Sequence, residues 1–164
     1  MNGKVWKFGE CIDTDVIAPA KYIRLEPEEY SQYMMKPLMP EFAKKVSYGD
    51  YIVGGENFGM GSSREQAVLG LQILGIKGVI AKSFGRVFFR NAINRGLPVL
   101  IFKEKRDYNR LVTGDFIELD FINGIIINKI TKEQIHTNRM PSFLCDILKE
   151  GGAIKYYNKF KTVD

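Results

Sequence analysis

The chain has 164 residues, 45% of them hydrophobic and 26% charged, values that exclude a disordered or collagen-like polymer. Lysine and arginine outnumber aspartate and glutamate by 24 to 19, a net charge of +5 spread along the chain. That balance permits an anionic partner or substrate without demanding nucleic acid. A chain of this size can bury roughly 70% of its unfolded surface, so residues 1–164 are expected to form one domain that needs no disulfide or structural metal.

Met1 to Gly9 carries no apolar h-region of a signal peptide, and no apolar run approaches the roughly 18 residues of a membrane span. A soluble, cytoplasmic domain is expected. Two cysteines, Cys11 and Cys145, lie far apart, and His136 is the single histidine. By themselves they do not make a four-ligand zinc or iron–sulfur site. The simplest reading makes the cysteines small apolar fillers and His136 a surface residue.

In chain order, Lys4 to Phe8 alternates apolar and polar residues and predicts a strand that ends at Gly9. Glu26 to Met35 predicts a short helix with Pro27 at its first position, and Pro37 and Pro40 predict loop from 36 to 47. Asp50 to Gly55 reads as a buried strand, and a helix is expected from about Ser63 to Leu74 with Gly75 as its C-terminal cap. Lys77 to Lys82 is a second buried strand. Phe84 to Asn94 is a second helix, apolar along Phe84, Val87, Phe88 and Ala92, with Arg86, Arg90 and Asn94 on another face. Leu97 to Phe102 predicts an apolar strand. A hairpin is expected over Phe116–Phe121 and Gly124–Asn128, turning at Asn123-Gly124, with closing helices over Pro141–Lys149 and Ala153–Phe160. The strand–helix–strand–helix–strand centre predicts α/β architecture with a partly parallel central sheet and added antiparallel strands.

The segment Gly54 to Glu65 carries most chemical information. Four glycines (54, 55, 59 and 61) follow a strand and precede a helix, which lets backbone N–H groups approach an anion. Ser62-x-x-Glu65 has the form of a capping box, so Ser62 is expected at the N-cap, in the positive end of the helix dipole. Arg64 would fork onto a carboxylate. The bland alternative is a capped helix after a glycine-rich turn. Dinucleotide and P-loop readings fail, because Arg64 stands where Gly59-x-Gly61 would need a third glycine and no Gly-Lys-Ser/Thr follows. Asp13-Thr14-Asp15 would serve a metal or merely cap a turn. Lys82 to Phe89 echoes an RNA-reading strand, but its helical spacing favours core.

Three segments match a known family in order and spacing over nearly the whole chain. They are Lys4 to Gly9 with Ile12-Asp-Thr-Asp15, Val53-Gly-Gly-Glu-Asn-Phe-Gly-Met-Gly-Ser-Ser-Arg-Glu65, and Ser83-Phe-Gly-Arg-Val-Phe-Phe-Arg-Asn-Ala-Ile-Asn94. The chain resembles the small subunits of the isopropylmalate dehydratase and homoaconitase family, the swivelling β/β/α domain of the aconitase superfamily. Met60 and Gln66 stand where many members carry Cys and His, and Val68 where a small residue or proline is common.

The resemblance implies a hydro-lyase that dehydrates and rehydrates a hydroxy acid and is shared between two chains. A large subunit would carry a [4Fe–4S] cluster, and none would be bound by this chain. Ser62 matches the serine that removes the carbon-bound proton, and Asp15 an acidic residue of the site. Ser63 and Arg64 match contacts to the substrate carboxylate. Residues 21–25 would reach toward the variable end of the substrate, where Arg24 suits a further carboxylate and Ile23 and Leu25 an alkyl group. Isomerisation of 2- and 3-isopropylmalate in leucine biosynthesis is the expected activity, with homoaconitase, dimethylmalate and citraconate types as alternatives. The expected partners are the large subunit and a small hydroxy acid, not nucleic acid or membrane, with room for a homo-oligomer of the isolated chain. Two rivals from other classes are a small RNA-binding module and a non-catalytic binder of an anionic metabolite.

Overall fold

A computed structural model describes residues 2–161. Seven strands form one sheet in the order β4-β3-β2-β1-β5-β6-β7. β1 (Asn2–Lys7), β2 (Tyr51–Gly54), β3 (Gly78–Ala81) and β4 (Val99–Ile101) pair in parallel. β5 (Phe116–Asp120), β6 (Ile125–Asn128) and β7 (Gln134–His136) continue from β1 in antiparallel order. The sheet curls until its two ends meet. Phe102 and Thr137 form an antiparallel bridge, Lys103 N donates to His136 O at 3.0 Å, and Asn138 N donates to Ile101 O at 2.8 Å.

Two cores explain the continuous apolar runs of the parallel strands. Val5, Tyr51, Val53, Ile80 and Leu100 point into the curl with Ile117, Leu119, Ile126 and Ile135. Their neighbours Trp6, Ile52, Val79, Ala81 and Val99 point the other way, toward the helices. With both faces covered, successive residues are all apolar. On β5 only Ile117 and Leu119 are inward, so that strand alternates.

The helices are short. α1 (Thr14–Ile17), α2 (Pro27–Tyr30), α3 (Phe42–Lys45), α4 (Gln66–Ile73), α5 (Arg86–Arg95), α6 (Ser142–Lys149) and α7 (Ala153–Lys161) cover the outer face and one end of the sheet. Pro27 opens α2 as expected, but the helix tightens into a 3-10 turn at Ser31–Tyr33 rather than running to Met35. α3 stands inside the stretch expected as loop. Gly75 and Gly96 end α4 and α5 in the left-handed region, at φ +88° and +78°, a conformation glycine adopts without strain. α5 buries Phe88, Ala92 and Ile93 and leaves Arg86, Arg90 and Asn94 exposed. That placement, with Phe88 edge-on to Phe58 at 5.4 Å, sets aside the RNA-reading strand.

The start of β2 is fastened by a buried carboxylate. Asp50 accepts hydrogen bonds from Trp6 Nε1 at 2.8 Å, Lys4 N at 3.1 Å and Ser47 N at 2.9 Å. A carboxylate this buried is tolerable only when its lone pairs are satisfied.

Candidate functional site

Three loops leave the carboxyl ends of β1, β2 and β3 and lie side by side, the edge of a parallel sheet where ligands are commonly held. Beyond the strands, parallel pairing resumes as isolated bridges, Asp13 with Met60 and Phe58 with Phe84. Gly59 N donates to Ile12 O at 2.7 Å and Thr14 N to Met60 O at 2.8 Å. On the other side, Phe58 N donates to Ser83 O at 3.0 Å and Gly85 N to Phe58 O at 2.9 Å. The middle loop is thus laced to both neighbours. Gly59 makes this possible: at φ +76° it follows a path L side chains rarely adopt, and a Cβ there would sit 2.2 Å from the Phe88 ring.

Two candidate residues on the β2–α4 loop meet two on α1. Ser62 Oγ lies 3.0 Å from Thr14 Oγ1, which also donates to Ser62 O at 3.3 Å. Arg64 Nη1 donates to Asp15 Oδ1 and, at 3.3 Å, to the carbonyl of Ala18. Asp15 accepts in addition from Ala20 N at 3.1 Å. The Arg64 guanidinium, followed by the Ala20 N–H, holds the Asp15 carboxyl below its ordinary range, so it stays ionised. An ionised Asp15 faces the guanidinium and fixes its Nη1 edge. Ser63 is exposed and its carbonyl accepts from Asn91 Nδ2 of α5 at 3.4 Å.

The capping expectation needs correction. Helix α4 begins at Gln66, and Glu65 at its N-cap position makes no side-chain capping bond. Glu65 instead accepts from Arg95 Nη1 of α5 at 2.8 Å. Gly61, at φ +99°, turns Ser62 toward α1, where Thr14 engages its hydroxyl before it can reach the helix N–H groups. Ser62 and Arg64 therefore precede the helix, and the polarity around the hydroxyl comes from Thr14. In the β1 loop, Asp13 caps α1 by accepting from Val16 N at 2.8 Å, the turn-capping role. Arg24 stands exposed between α1 and α2; among the described residues no hydrogen bond or ion pair joins it to Asp15, Ser62, Ser63 or Arg64. Beside it, Tyr22 stacks on Tyr33 at 3.8 Å and Ile23 packs partly into the outer core.

Cys145 is a buried filler, whereas Cys11 is exposed at φ +52°, its backbone N–H bonded to Glu56 O. His136 is exposed, on a strand that its neighbourhood in the sequence did not announce. Among the described residues no three His, Cys, Asp or Glu side chains gather as a metal site, and no helix is long and apolar enough to cross a membrane. The contributors missing from the sequence reading are Thr14, Ala18 and Asn91. Only Thr14, a hydroxyl between two aspartates, left any signal.

These strands, curl and joined loops define a mixed α/β domain with a candidate site at the carboxyl edge of its parallel half. The pattern of the Aconitase C-terminal domain family matches residues 22–105. The 3-isopropylmalate dehydratase small subunit 1 of Archaeoglobus fulgidus is 50% identical over 155 residues, covering 94% of each chain. The isopropylmalate/citramalate isomerase small subunit of Methanocaldococcus jannaschii is 47% identical over 160 residues, covering 97% of this chain and 94% of that one. A crystal structure of 3-isopropylmalate dehydratase from Methanocaldococcus jannaschii superposes with a TM-score of 0.92 at 41% identity, over 99% of this chain and 95% of the other. The chain belongs to the aconitase C-terminal domain family, in its group of 3-isopropylmalate dehydratase small subunits, which are hydro-lyase subunits.

Proposed function

We propose that this chain folds as one swivel domain, closes over a large dehydratase subunit and supplies the proton-transfer base and a carboxylate clamp for interconverting 2- and 3-isopropylmalate. The carrying observation is that Ser62 and Arg64 share one loop and are each held from α1, by Thr14 and Asp15. Ser62 Oγ, as alkoxide, takes the carbon-bound proton; the C–H electron pair becomes the double bond as the C–O pair leaves with the hydroxyl, which a Lewis acid on the large subunit would take up, and rehydration reverses the step and returns the proton to carbon. A neutral serine is too weak a base for this, so its ionised form must be stabilised by donors and by exclusion of water on closure. Among the described residues, both hydrogen bonds of Arg64 leave from Nη1, which keeps Nη2 and Nε for a substrate carboxylate. Ser63 adds a hydroxyl beside it. Arg24, Ile23 and Leu25 are proposed to face the variable end of the substrate once the large subunit is seated.

The [4Fe–4S] cluster is assigned to the large subunit. The residues of this chain do not fit it, since one cysteine is exposed and the other buried on α6. A second substrate, citramalate, is suggested by the name of the Methanocaldococcus jannaschii relative.

The test is anaerobic reconstitution with candidate large subunits from the same host, following alkene absorbance with isopropylmalate, citramalate, homoaconitate and dimethylmaleate. Turnover of isopropylmalate that Ser62→Ala removes, with folding and association intact, is the expected result. Near-normal turnover by Ser62→Ala would remove Ser62 as the base.

A further inference from the structure

We propose that Thr14 is a positioning residue that donates its hydroxyl proton to the Ser62 alkoxide and so sets the basicity of that oxygen. The inference rests on the reading of Ser62 as the base. Thr14 is 2% exposed while Ser62 is exposed, so a fixed, desolvated hydroxyl stands behind a reactive one. The Thr14 backbone is held at both ends, its N–H by Met60 O at 2.8 Å and its carbonyl by Ala18 N at 2.9 Å. On that fixed backbone, burial and the two contacts of Oγ1 with Ser62 hold the Thr14 side chain in one orientation. Its single proton has two acceptors within reach, Ser62 O at 3.3 Å and Ser62 Oγ at 3.0 Å.

Those two acceptors give the pair two states. With Ser62 protonated, Thr14 can donate to the Ser62 carbonyl and accept the Ser62 proton. Once Ser62 has lost its proton, Oγ can only accept, and the Thr14 hydrogen turns from the carbonyl to the charged oxygen. A hydrogen bond to an ionised acceptor is about twice as strong as a neutral one, so the switch favours the alkoxide. It also aims the remaining lone pairs of Ser62 away from α1.

The test uses the reconstituted two-subunit enzyme with Thr14→Val, which keeps the shape and removes the hydroxyl, and Thr14→Ser, which keeps the hydroxyl. Thr14→Val should lower kcat about 10- to 100-fold. KM should stay within about two-fold, because the ground-state contacts to substrate are untouched. The ascending limb of the pH–kcat profile should move to higher pH in Thr14→Val and return in Thr14→Ser. Adding Thr14→Val to Ser62→Ala should cost nothing further. Thermal unfolding of both variants separates packing from chemistry, since the serine loses a buried methyl and keeps the donor. Wild-type kcat in Thr14→Val, a loss confined to KM, an unmoved pH profile, or equal loss in Thr14→Ser each overturns the proposal. If Ser62→Ala itself retains turnover, the base assignment fails instead.

Discussion

Arg64, ahead of α4, and Asp15, on α1, form an ion pair across 49 positions of sequence. The pair joins the two loops that carry the site, and it fixes one edge of the guanidinium while leaving the other open. Arg64→Lys keeps the charge but loses the fork, because an ammonium presents a point charge. KM for the hydroxy acid should rise about ten-fold or more in the reconstituted enzyme. Unchanged kinetics would mean that Arg64 does not hold substrate.

The same pair makes a pH prediction. The Asp15 carboxyl is held below its ordinary value chiefly by Arg64. A depressed carboxyl stabilises the fold above its unfolded pKa, and that contribution is lost as pH falls through the lower folded value. Substituting Arg64→Gln should move the Asp15 titration upward when followed by carboxyl NMR. A titration that stays in place would detach Asp15 from Arg64 in solution.

Asp50 is the strongest candidate for a purely structural loss. Its side chain is 4% exposed and binds the Trp6 indole and two backbone N–H groups. Asp50→Ala orphans three donors and should destabilise by about 2–3 kcal/mol, roughly 5–10 °C in Tm. Denaturant unfolding checks this. Activity per folded molecule should be unchanged, because the carboxylate lies at the start of β2, opposite the loop end.

Gly59→Ala tests the lacing of the loops. The added Cβ meets the Phe88 ring and the backbone sits at φ +76°. The expected cost is about 2–4 kcal/mol, with turnover falling as well because residues 58–62 must shift. Full stability in this variant would show that the loop can take another path.

The parallel half was legible because burial on both faces writes apolar runs at β2, β3 and β4, and the hairpin because Asn123-Gly124 marks its turn. β7 escaped notice: it has three residues, and Ile135 alone points inward, which is too little for a period of two to register. α1 and α3 have four residues each, shorter than the helical repeat needs to declare itself. At the candidate site, the motif segments stand out in the sequence and their partners do not. Ser62 and Thr14 are 48 positions apart, and contacts between the two loops, the pairing of Asp13 with Met60 among them, bring them together. The Ser62-x-x-Glu65 spacing misled because its local pattern is also met by a loop whose serine and glutamate turn to other elements.

The curl that brings Phe102 to Thr137 has a consequence for assembly. An open sheet offers its outermost strands to any passing backbone, and uncontrolled stacking of chains follows. Here the two outermost strands are tied to one another at that corner, so a neighbour finds no unpaired ladder there to extend. A companion chain that meets this corner does so through side chains rather than by adding a strand. A contact made that way can form and part without tearing any strand from its neighbour.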